Sequence, residues 1–340
     1  MNKENILNLL NNLNPEENIK VPEKYDKVLL VDAMNLFFRN FAMMNMVNPD
    51  GNHIGGLGGS LRSLGALIKQ FKPTQIYMIF DGPGSTANRK NIISEYKGGR
   101  NLQRITNWDV FDNLEEEDSS KINQIVRLTQ YLMLLPVKTI SFPKVEADDV
   151  IAVLAEHMAN KHNSNCVIVS SDKDFLQLIN KNVVVYRPRE KKVYNKNTMK
   201  IPPNNFILYK TLIGDNSDNL PGIKGVGEKT LIKKFPEILT EDLTLEDIFK
   251  ISEKRLKTHV IYARVLKEEN RLRDSFKIMD LSNPMISESE KEIVYKIAKE
   301  PIPKLNIKAF LALYGEDKMG GMIRNTQFWL KENFEYLEKY

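Results

Sequence analysis

The stretch KVLLVD (residues 27–32) is a near-continuous apolar run that ends in aspartate. Two later runs have the same form, QIYMIFD (75–81) and CVIVSSD (166–172). Apolar runs this short and continuous are typical of strands buried on both faces of a parallel sheet. Helical patterns lie between them, SLRSLGALIKQF (60–71) and DDVIAVLAEHMAN (148–160). The alternation predicts an α/β fold with a mostly parallel central sheet flanked by helices.

Each of the three runs brings an aspartate to the same edge of the predicted sheet. Asp32, Asp81 and Asp172 end these runs, and ligands of open α/β sheets bind in the crevice beyond the carboxyl ends of the strands. Further acidic residues follow the strands or lie in the later loop GDNSDN (214–219), namely Glu146, Asp148, Asp149, Asp174, Asp215 and Asp218. The sequence therefore predicts nine carboxylates around one crevice.

A single aspartate at such a position has an ordinary explanation, because aspartate caps helices and forms turns; Asp148 or Asp149 alone would be interpreted in that way. The whole set is different, since converging carboxylates raise one another's pKa unless a cation neutralises them. Hard divalent ions prefer oxygen ligands, and magnesium is held by a few carboxylates while it keeps several waters. The four histidines show no metal-ligand spacing. A magnesium site is therefore predicted.

The net charge of +5 is modest for a protein that binds nucleic acid. Its distribution is more informative, because the chain is distinctly basic once the nine carboxylates are set aside as neutralised by metal. A carboxylate-lined metal site on a basic body suits phosphodiester hydrolysis, in which two ions about 3.5–4 Å apart stabilise the attacking and leaving oxygens. The composition thus predicts two Mg²⁺ ions, for which Mn²⁺ can substitute.

Composition also excludes other classes of protein. The chain has 340 residues, 42% of them hydrophobic and 27% charged, as in a globular protein with one large and one smaller domain. The single cysteine, Cys166, cannot form an internal disulfide or a paired-cysteine zinc site, which favours a reducing compartment. No apolar run is long enough for a membrane span, and the N-terminus lacks a secretory pattern. We expect a cytoplasmic protein.

Three segments are expected along the chain. Residues 1–25 form an N-terminal extension with a short amphipathic helix that Pro15 ends. Residues 26–200 hold the α/β domain, with a partly helical excursion at about residues 84–125 that is first basic and then acidic. From residue 201 the strand signal fades, so residues 201–340 predict a helical domain. The aromatics of QFWLKENFEYL (327–337) are expected to pack that second domain, with docking on a partner as the alternative.

Six motifs occur in an order that resembles a known family. They are VDAMNLFFR (31–39), FDGPGS (80–85), YKGGR (96–100), EADD (146–149), SSDKDFLQL (170–178) and GDNSDNLPGIKGVGEKT (214–230). Together they resemble the flap endonuclease and 5′-3′ exonuclease superfamily over about residues 27–235. The bacterial 5′ nucleases and the bacteriophage RNase H enzymes that remove RNA primers are the most similar branch. The resemblance implies a PIN-like 5′ nuclease core with a helical arch, followed by a helical domain containing a helix-hairpin-helix.

The resemblance also implies roles for the acidic residues. The first metal cluster and its adjoining ligands match Asp32, Asp81, Glu146, Asp148, Asp149, Asp172 and Asp174. The second cluster, often reached through water, matches Asp215 and Asp218. All nine are therefore expected to be catalytic metal ligands.

The excursion after the second strand matches the family's arch, through or under which a 5′ single strand passes. Lys97 and Arg100 match the basic pair of this arch and are expected to hold the scissile phosphate and stabilise its developing charge. Tyr96 matches a residue that can stack on a base, and Arg89 is a further expected contact to nucleic acid. A solvated loop is the alternative for this segment.

The segment LPGIKGVGEKT (220–230) superficially resembles a phosphate-binding P-loop, but Glu228 stands where that motif requires lysine. It instead resembles the family's helix-hairpin-helix at about residues 206–235, where glycines let backbone N–H groups approach a duplex phosphate. In the family a potassium ion often lies at this hairpin. The expected contacts to nucleic acid are Gly222, Lys224, Gly225, Gly227, Lys229 and Thr230. A glycine turn used only for packing remains the alternative.

The resulting hypothesis is a phosphodiester hydrolase, a structure-specific 5′ nuclease acting on DNA with a 5′ flap or an RNA-primed 5′ end during replication or repair. A PIN-type ribonuclease would share the acidic crevice, but such domains are typically shorter and lack the glycine-rich module. A non-catalytic DNA-binding protein would not need nine carboxylates. We expect a monomer, encoded by a phage and active in the bacterial cell. A single-strand-binding protein or a sliding clamp is a candidate partner.

Overall fold

The computed structural model describes residues 27–98 and 104–340. Six strands form the central sheet: β1 Lys27–Asp32, β2 Gln75–Ile79, β3 Lys138–Ile140, β4 Asn165–Val169, β5 Val183–Arg187 and β6 Lys192–Tyr194. Their order is β3-β2-β1-β4-β5-β6, and every neighbouring pair is parallel except β5 with β6. The predicted α/β fold with a mostly parallel sheet is confirmed. The predicted N-terminal extension and Arg100 lie outside the described residues.

Helices fill most of the remaining described chain. In chain order they are α1 Ala33–Met43, α2 Gly55–Phe71, α3 Ala87–Lys90, α4 Leu114–Leu132, α5 Ala147–Lys161, α6 Pro203–Ile213, α7 Glu228–Lys234, α8 Leu245–Lys254, α9 Val260–Lys267, α10 Glu269–Met279, α11 Glu288–Lys299, α12 Ile307–Glu316 and α13 Thr326–Phe334. Two-residue strands β7 Gly214–Asp215 and β8 Leu220–Pro221 pair between α6 and α7. None of the helices described is long and apolar enough to cross a membrane.

Alternate residues of the central strands enter two separate cores, one on each face of the sheet. In β1, Leu29 and Val31 pack with α1, α2 and α4, whereas Val28 and Leu30 pack with α5 and the helices after residue 203. Both faces of β1 are therefore buried, which is why its sequence is apolar at every position between Lys27 and Asp32 rather than at alternate ones.

The helical half of the chain shares its core with the sheet. The cluster that contains Leu30 and Ile168 of the strands also contains Leu231, Ile248 and Leu272 of the later helices. A boundary near residue 200 therefore marks a change in secondary structure, while the hydrophobic core runs continuously across it.

The C-terminal helices return to the opposite face of the sheet. Phe310 of α12 packs edge-to-face on Tyr131 of α4, with ring centroids 4.9 Å apart. Trp329 of α13 lies so close to α2 that a Cβ added at Gly65 would come within 2.6 Å of its indole nitrogen. The expectation that the aromatics of residues 327–337 pack within the second domain is therefore wrong. They pack on the α/β domain because α2 offers a glycine at the point of contact.

The second half of the predicted excursion belongs to the body of the protein. Helix α4 begins at Leu114, with Asn113 as its N-cap, and its acidic first turn complements the helix dipole. Helix α4 packs on α2. The acidic part of the segment therefore belongs to the α/β domain.

The order of the strands creates a switch point between β1 and β4. From β1 the chain proceeds outward to β2 and β3, and it then returns to place β4 on the other side of β1. The connections at the carboxyl ends of β1 and β4 therefore diverge and leave a crevice between them. Asp32 ends β1 at this crevice, and Asp172 follows β4 by three residues.

Candidate active site

A cavity of about 330 Å³ opens at the switch point. Four of the predicted carboxylates line it, and we call them the carboxylate rim: Asp32, Asp81, Asp148 and Asp172. Lys97 lines the same cavity, which places one ammonium group among the four acids. The structure thus brings together residues from β1, from the segment after β2, from α5 and from the loop after β4.

Backbone amides and a hydroxyl hold the rim residues in place. Asp32 caps α1, because its Oδ1 accepts a hydrogen bond from Asn35 N at 2.9 Å, and its Oδ2 accepts one from Ser170 Oγ at 2.9 Å. Asp81 Oδ1 accepts from Ala147 N at the start of α5, at 2.8 Å. The rim is therefore positioned by helix N-termini, whose partial positive charge favours carboxylates.

Asp32 is the rim carboxylate with a raised pKa. Burial is the main cause of the rise to about 7, and the negative charges of Asp81 and Asp148 add to it, although the hydrogen bonds of Asp32 with Asn35 and Ser170 act in the opposite direction. The neighbouring protein groups therefore do not fully offset the cost of a charge on Asp32. A hard divalent cation would do so, and oxygen ligands of this kind suit Mg²⁺.

A second acidic cluster lies beside the rim and contains Asp174, Asp215 and Asp218. One carboxylate oxygen of each lies within 4.8 Å of the others, a spacing at which they could share a metal ion. Lys210 of α6 places its Nζ 2.7 Å from Asp174 Oδ1 and also contacts Asp215 Oδ2. An ammonium group therefore already lies between two of the three acids.

The pKa values of Asp174 and Asp215 shift in opposite directions. Burial and the charge of Asp172 raise the pKa of Asp174 well above its usual range, in spite of Lys210. Burial alone would also raise the pKa of Asp215, but Lys210 and the hydrogen bonds from Ser217 hold it below the usual value. The protein thus neutralises only part of the cluster, so its residues fit a divalent ion.

Lys97 connects the segment after α3 to the start of α5. Its Nζ donates to Glu146 Oε2 at 2.8 Å, and its backbone has a φ of 55°, in the left-handed region. Burial would lower the pKa of Lys97, but the charges of Asp148, Glu146 and Asp218 raise it, so the side chain stays an ammonium. Its charge is therefore retained at the cavity wall.

Glu146 lies behind Lys97 rather than in the cavity. Its Oε2 accepts from both Tyr96 and Lys97, while its buried Oε1 has no hydrogen-bond partner. Burial and Asp148 raise the pKa of Glu146 to about 7, against the opposing effect of Arg89 and Lys97. In this arrangement Glu146 orients Lys97.

Three sequence expectations need correction. Arg89 is only 3% exposed and forms a two-pronged ion pair with Asp149, at 2.8 and 2.9 Å. Asp149 also accepts from Met285 N at 2.9 Å, so both of its oxygens are used by protein donors. Tyr96 is buried against Leu220, which leaves no ring face for a base. Arg89 and Tyr96 are therefore not surface contacts to nucleic acid, and Asp149 is part of an internal ion pair.

Breaking this internal ion pair is expected to destabilise the fold. In Arg89→Met the carboxylate of Asp149 would be left buried and unpaired, which costs about 3–5 kcal/mol of the free energy of unfolding. Denaturant unfolding measures the loss. Lys90→Met alters the exposed neighbour and is expected to change stability little. Equal stability of the two variants would contradict the assignment, and adding Asp149→Asn to Arg89→Met is expected to restore part of the loss.

Three basic residues at the cavity and the second acidic cluster were not predicted from the sequence: Arg39, Arg189 and Lys210. Arg39 and Arg189 line the cavity, and Arg39 Nε is buried without a hydrogen-bond partner. Arg39 could have been predicted, because it follows Asn35 by one helical turn and therefore lies on the same face of the helix. In the structure both residues line the cavity. The long reach of Lys210 from α6 to the second cluster had no comparable signal.

A basic cleft lies between α7 and α9, and it contains Gly225, Lys229, Lys233, Lys234 and Arg264. It follows the turn that joins the β7–β8 pair to α7, where Gly225 has a φ of 85°. Arg264 NH1 donates to the carbonyl of Lys224 at 2.7 Å and so fixes this turn. The predicted contacts Lys224, Gly227 and Lys229 are exposed here.

The resolvase-like α/β domain and its acidic crevice define the class of protein, and a family model defines the family. The model described as "5'-3' exonuclease, N-terminal resolvase-like domain" matches residues 27–202. The chain therefore belongs to the flap endonuclease and 5′-3′ exonuclease superfamily, as its motifs predict.

Two curated relatives are similar over most of the chain. A 5′-3′ exonuclease of Aquifex aeolicus is 32% identical over 284 residues, which is 82% of this chain and 89% of that protein. A 5′-3′ exonuclease of Bacillus subtilis is 33% identical over 236 residues, 66% of this chain and 74% of that protein. The bacteriophage T5 flap endonuclease, solved in complex with DNA and metal ions, has a TM-score of 0.57 at 18% identity and covers 85% of this chain and 99% of its own. This last likeness concerns the fold.

Proposed function

We propose that this protein is a structure-specific 5′ nuclease that hydrolyses phosphodiester bonds near the junction of a 5′ single strand and a duplex. The observation that carries the proposal is the cavity at the switch point, where four carboxylates and the Lys97 ammonium face one space. The two curated relatives described above are named 5′-3′ exonucleases, which supports hydrolysis from a 5′ end.

The residues present would hold divalent ions at two places. The carboxylate rim would bind one ion, and Asp174, Asp215 and Asp218 would bind or orient the waters of a second. When bound, such ions activate a water molecule and stabilise the attacking and leaving oxygens. We propose Mg²⁺ as the natural ion and Mn²⁺ as a substitute, because the donors are all carboxylate oxygens.

The basic residues of the cavity supply the positive charge that the reacting phosphate needs. Lys97 is held charged by Glu146 and the neighbouring acids. Arg39 and Arg189 line the same cavity and would contact the adjoining phosphates. Arg100, for which the family resemblance implies a similar role, lies outside the described residues. Fixed cations in a partly buried site stabilise charge that develops in the transition state.

The basic cleft would hold the duplex beside the cut. Helices α6 and α7, joined by the turn at Gly225, are proposed to act as a helix-hairpin-helix, with backbone N–H groups and Lys229 on duplex phosphates. A potassium ion at this turn is part of the same proposal. The predicted alternative, a turn used only for packing, does not explain why five basic or glycine residues line an open cleft.

Several finer expectations complete the proposal. We propose a monomer in the bacterial cytoplasm, encoded by a phage, that acts on 5′-flap or RNA-primed DNA. A sliding clamp or single-strand-binding protein could not use Leu330, Phe334 or Leu337 of the segment at residues 327–337, because these side chains are buried. The exposed aromatic side chain of this segment is Phe328.

The substrate class can be tested with three end-labelled molecules in Mg²⁺: a 5′-flap DNA, an RNA-primed duplex with an exposed 5′ end, and single-stranded RNA alone. Short products are expected from the first two and little product from the third, because the single-stranded RNA lacks the duplex that the basic cleft is proposed to bind. Stacking and backbone charge accept either sugar in the 5′ strand.

The other outcomes distinguish the alternative functions. Preferential cutting of the lone RNA would support a PIN-type ribonuclease. Binding of the branched DNA without any cutting would support a non-catalytic DNA-binding protein. A matched duplex without a 5′ single strand serves as the control, and cutting it at the rate of the flap substrate would contradict structure specificity.

A further inference from the structure

The loop of residues 104–111, which we call the Trp108 loop, precedes α4. Trp108 is 78% exposed, the highest value among the large apolar side chains that the structure describes. Single exposed apolar side chains are common on protein surfaces and need no explanation by themselves. The backbone that carries this one, however, is firmly anchored.

Hydrogen bonds fix the loop on both sides of the tryptophan. Asn107 donates its backbone N–H to Glu117 Oε2 at 2.9 Å and its side-chain amide to Phe41 O at 2.9 Å. Asp109 accepts from the side-chain amide of Asn45. Glu117 and Asn107 are both buried. The backbone that carries the indole is therefore already ordered, so little conformational entropy of the loop is lost when a ligand binds to the ring.

Helix α1 connects this loop to the carboxylate rim. Asp32 caps the N-terminus of α1, and Asn107 bonds to Phe41 near its C-terminus. Phe41 follows Asp32 by nine positions, which span about 14 Å at the rise of an α-helix. Phe38 lies between them, 45% exposed, and lines the cavity. A stacked strand advances about 3.4 Å per nucleotide, so this length of α1 corresponds to roughly four nucleotides.

The Trp108 loop and the basic cleft lie on opposite faces of the sheet. Phe41, to which the loop is bonded, belongs to the core that contains Leu29 and Val31. Val226 and Leu231, which support the turn and α7, belong to the core on the other face. A strand that leaves a duplex at the basic cleft and crosses the carboxylate rim therefore continues toward Trp108.

We propose that Trp108 is a stacking site for an unpaired base of the 5′ strand, several nucleotides from the scissile bond on the side away from the duplex. The proposal rests on the 5′ nuclease function and adds a subsite to it. On the loop itself Arg104, Thr106 and Asp109 are exposed and polar, and Arg104 adds a positive charge that suits a nucleic-acid backbone. A base stacks on an isolated ring regardless of its identity, since every base has a π-face.

The test compares flaps that can and cannot reach the indole. Affinities are measured for 5′ oligothymidine flaps of one and six nucleotides, with Asp172→Asn as the background to prevent cutting. Trp108→Ala is expected to weaken binding of the six-nucleotide flap about five- to a hundred-fold, the range of single-base stacking, and to leave the one-nucleotide flap unchanged. Trp108→Phe should retain most of the affinity. Phe328→Ala, which removes an aromatic side chain that is 60% exposed on α13, is the matched control and should change neither.

Fluorescence supplies an independent readout, because the chain contains only two tryptophans. Trp329→Phe leaves Trp108 as the single emitter, and the six-nucleotide flap is expected to quench it whereas the one-nucleotide flap is not. Equal effects of Trp108→Ala on both flaps, or quenching by neither, would overturn the stacking site while normal flap cutting left the nuclease function intact. Failure of the wild-type protein to bind either flap would overturn both.

Discussion

Replacing Asp81 or Asp172 by asparagine is expected to lower the single-turnover cleavage rate by about a hundred- to a thousand-fold. This is the size of the effect seen when one group that stabilises the transition state is lost. Both side chains line the cavity, and each amide variant removes a negative charge that a divalent ion needs. Substrate affinity should change little, because we propose that the basic cleft, and not the rim, binds the duplex. Rapid-quench cutting of a 5′-flap DNA measures the rate, and binding without metal measures the affinity.

Controls separate the loss of metal from a general loss of charge. Glu292→Gln neutralises an exposed carboxylate on α11, outside both acidic clusters, and should leave the rate unchanged. A chelator should abolish cutting by the wild-type protein, and Mg²⁺ or Mn²⁺ should restore it. Full activity in excess chelator, or near-normal rates in both asparagine variants, would be incompatible with the metal mechanism.

Lys97→Ala is expected to reduce the single-turnover rate about a hundred-fold or more while changing affinity only slightly, because Lys97 lines the cavity that we propose holds the reacting phosphate. Lys229→Ala should have the opposite profile. Its removal from the basic cleft should weaken binding and reduce the slope of log affinity against log salt by about one, with a normal rate at saturating protein.

Lys97→Arg and Lys250→Ala are the matched controls for this pair. The arginine variant keeps the charge at the cavity and should recover part of the rate. Lys250 is an exposed lysine of α8 outside the basic cleft, and its loss should alter neither the rate nor the salt dependence. Equal effects of Lys97→Ala and Lys229→Ala on affinity alone would refute the division of roles.

The buried strands and the carboxylate rim were predictable because each depends on a local pattern. β1, β2 and β4 are apolar at nearly every position, since both faces of the sheet are covered, and acidic residues follow where the strands end. Chain order does not matter for this inference: strands that run parallel place their carboxyl ends at one edge, so Asp32, Asp81 and Asp172 had to converge once the sheet was parallel.

The internal pairings were not predictable, because they depend on which distant residues meet in the fold. Nothing in the sequence near Arg89 shows that it faces Asp149, sixty residues later. The same holds for Lys210 and Asp174. The C-terminal aromatics could be recognised as core residues, but the core that they join is set by tertiary packing on α2, which periodicity does not report.

The core shared by the sheet and the later helices fixes the distance between the basic cleft and the carboxylate rim. Leu231, beside the basic cleft, and Ile168, in the strand that leads to the carboxylate rim, belong to one continuous hydrophobic cluster. A hinge between these parts would require that packed cluster to open, which close-packed interiors resist. The distance from the basic cleft to the carboxylate rim is therefore constant, and under the proposed function we expect it to set how many nucleotides from the branch the strand is cut.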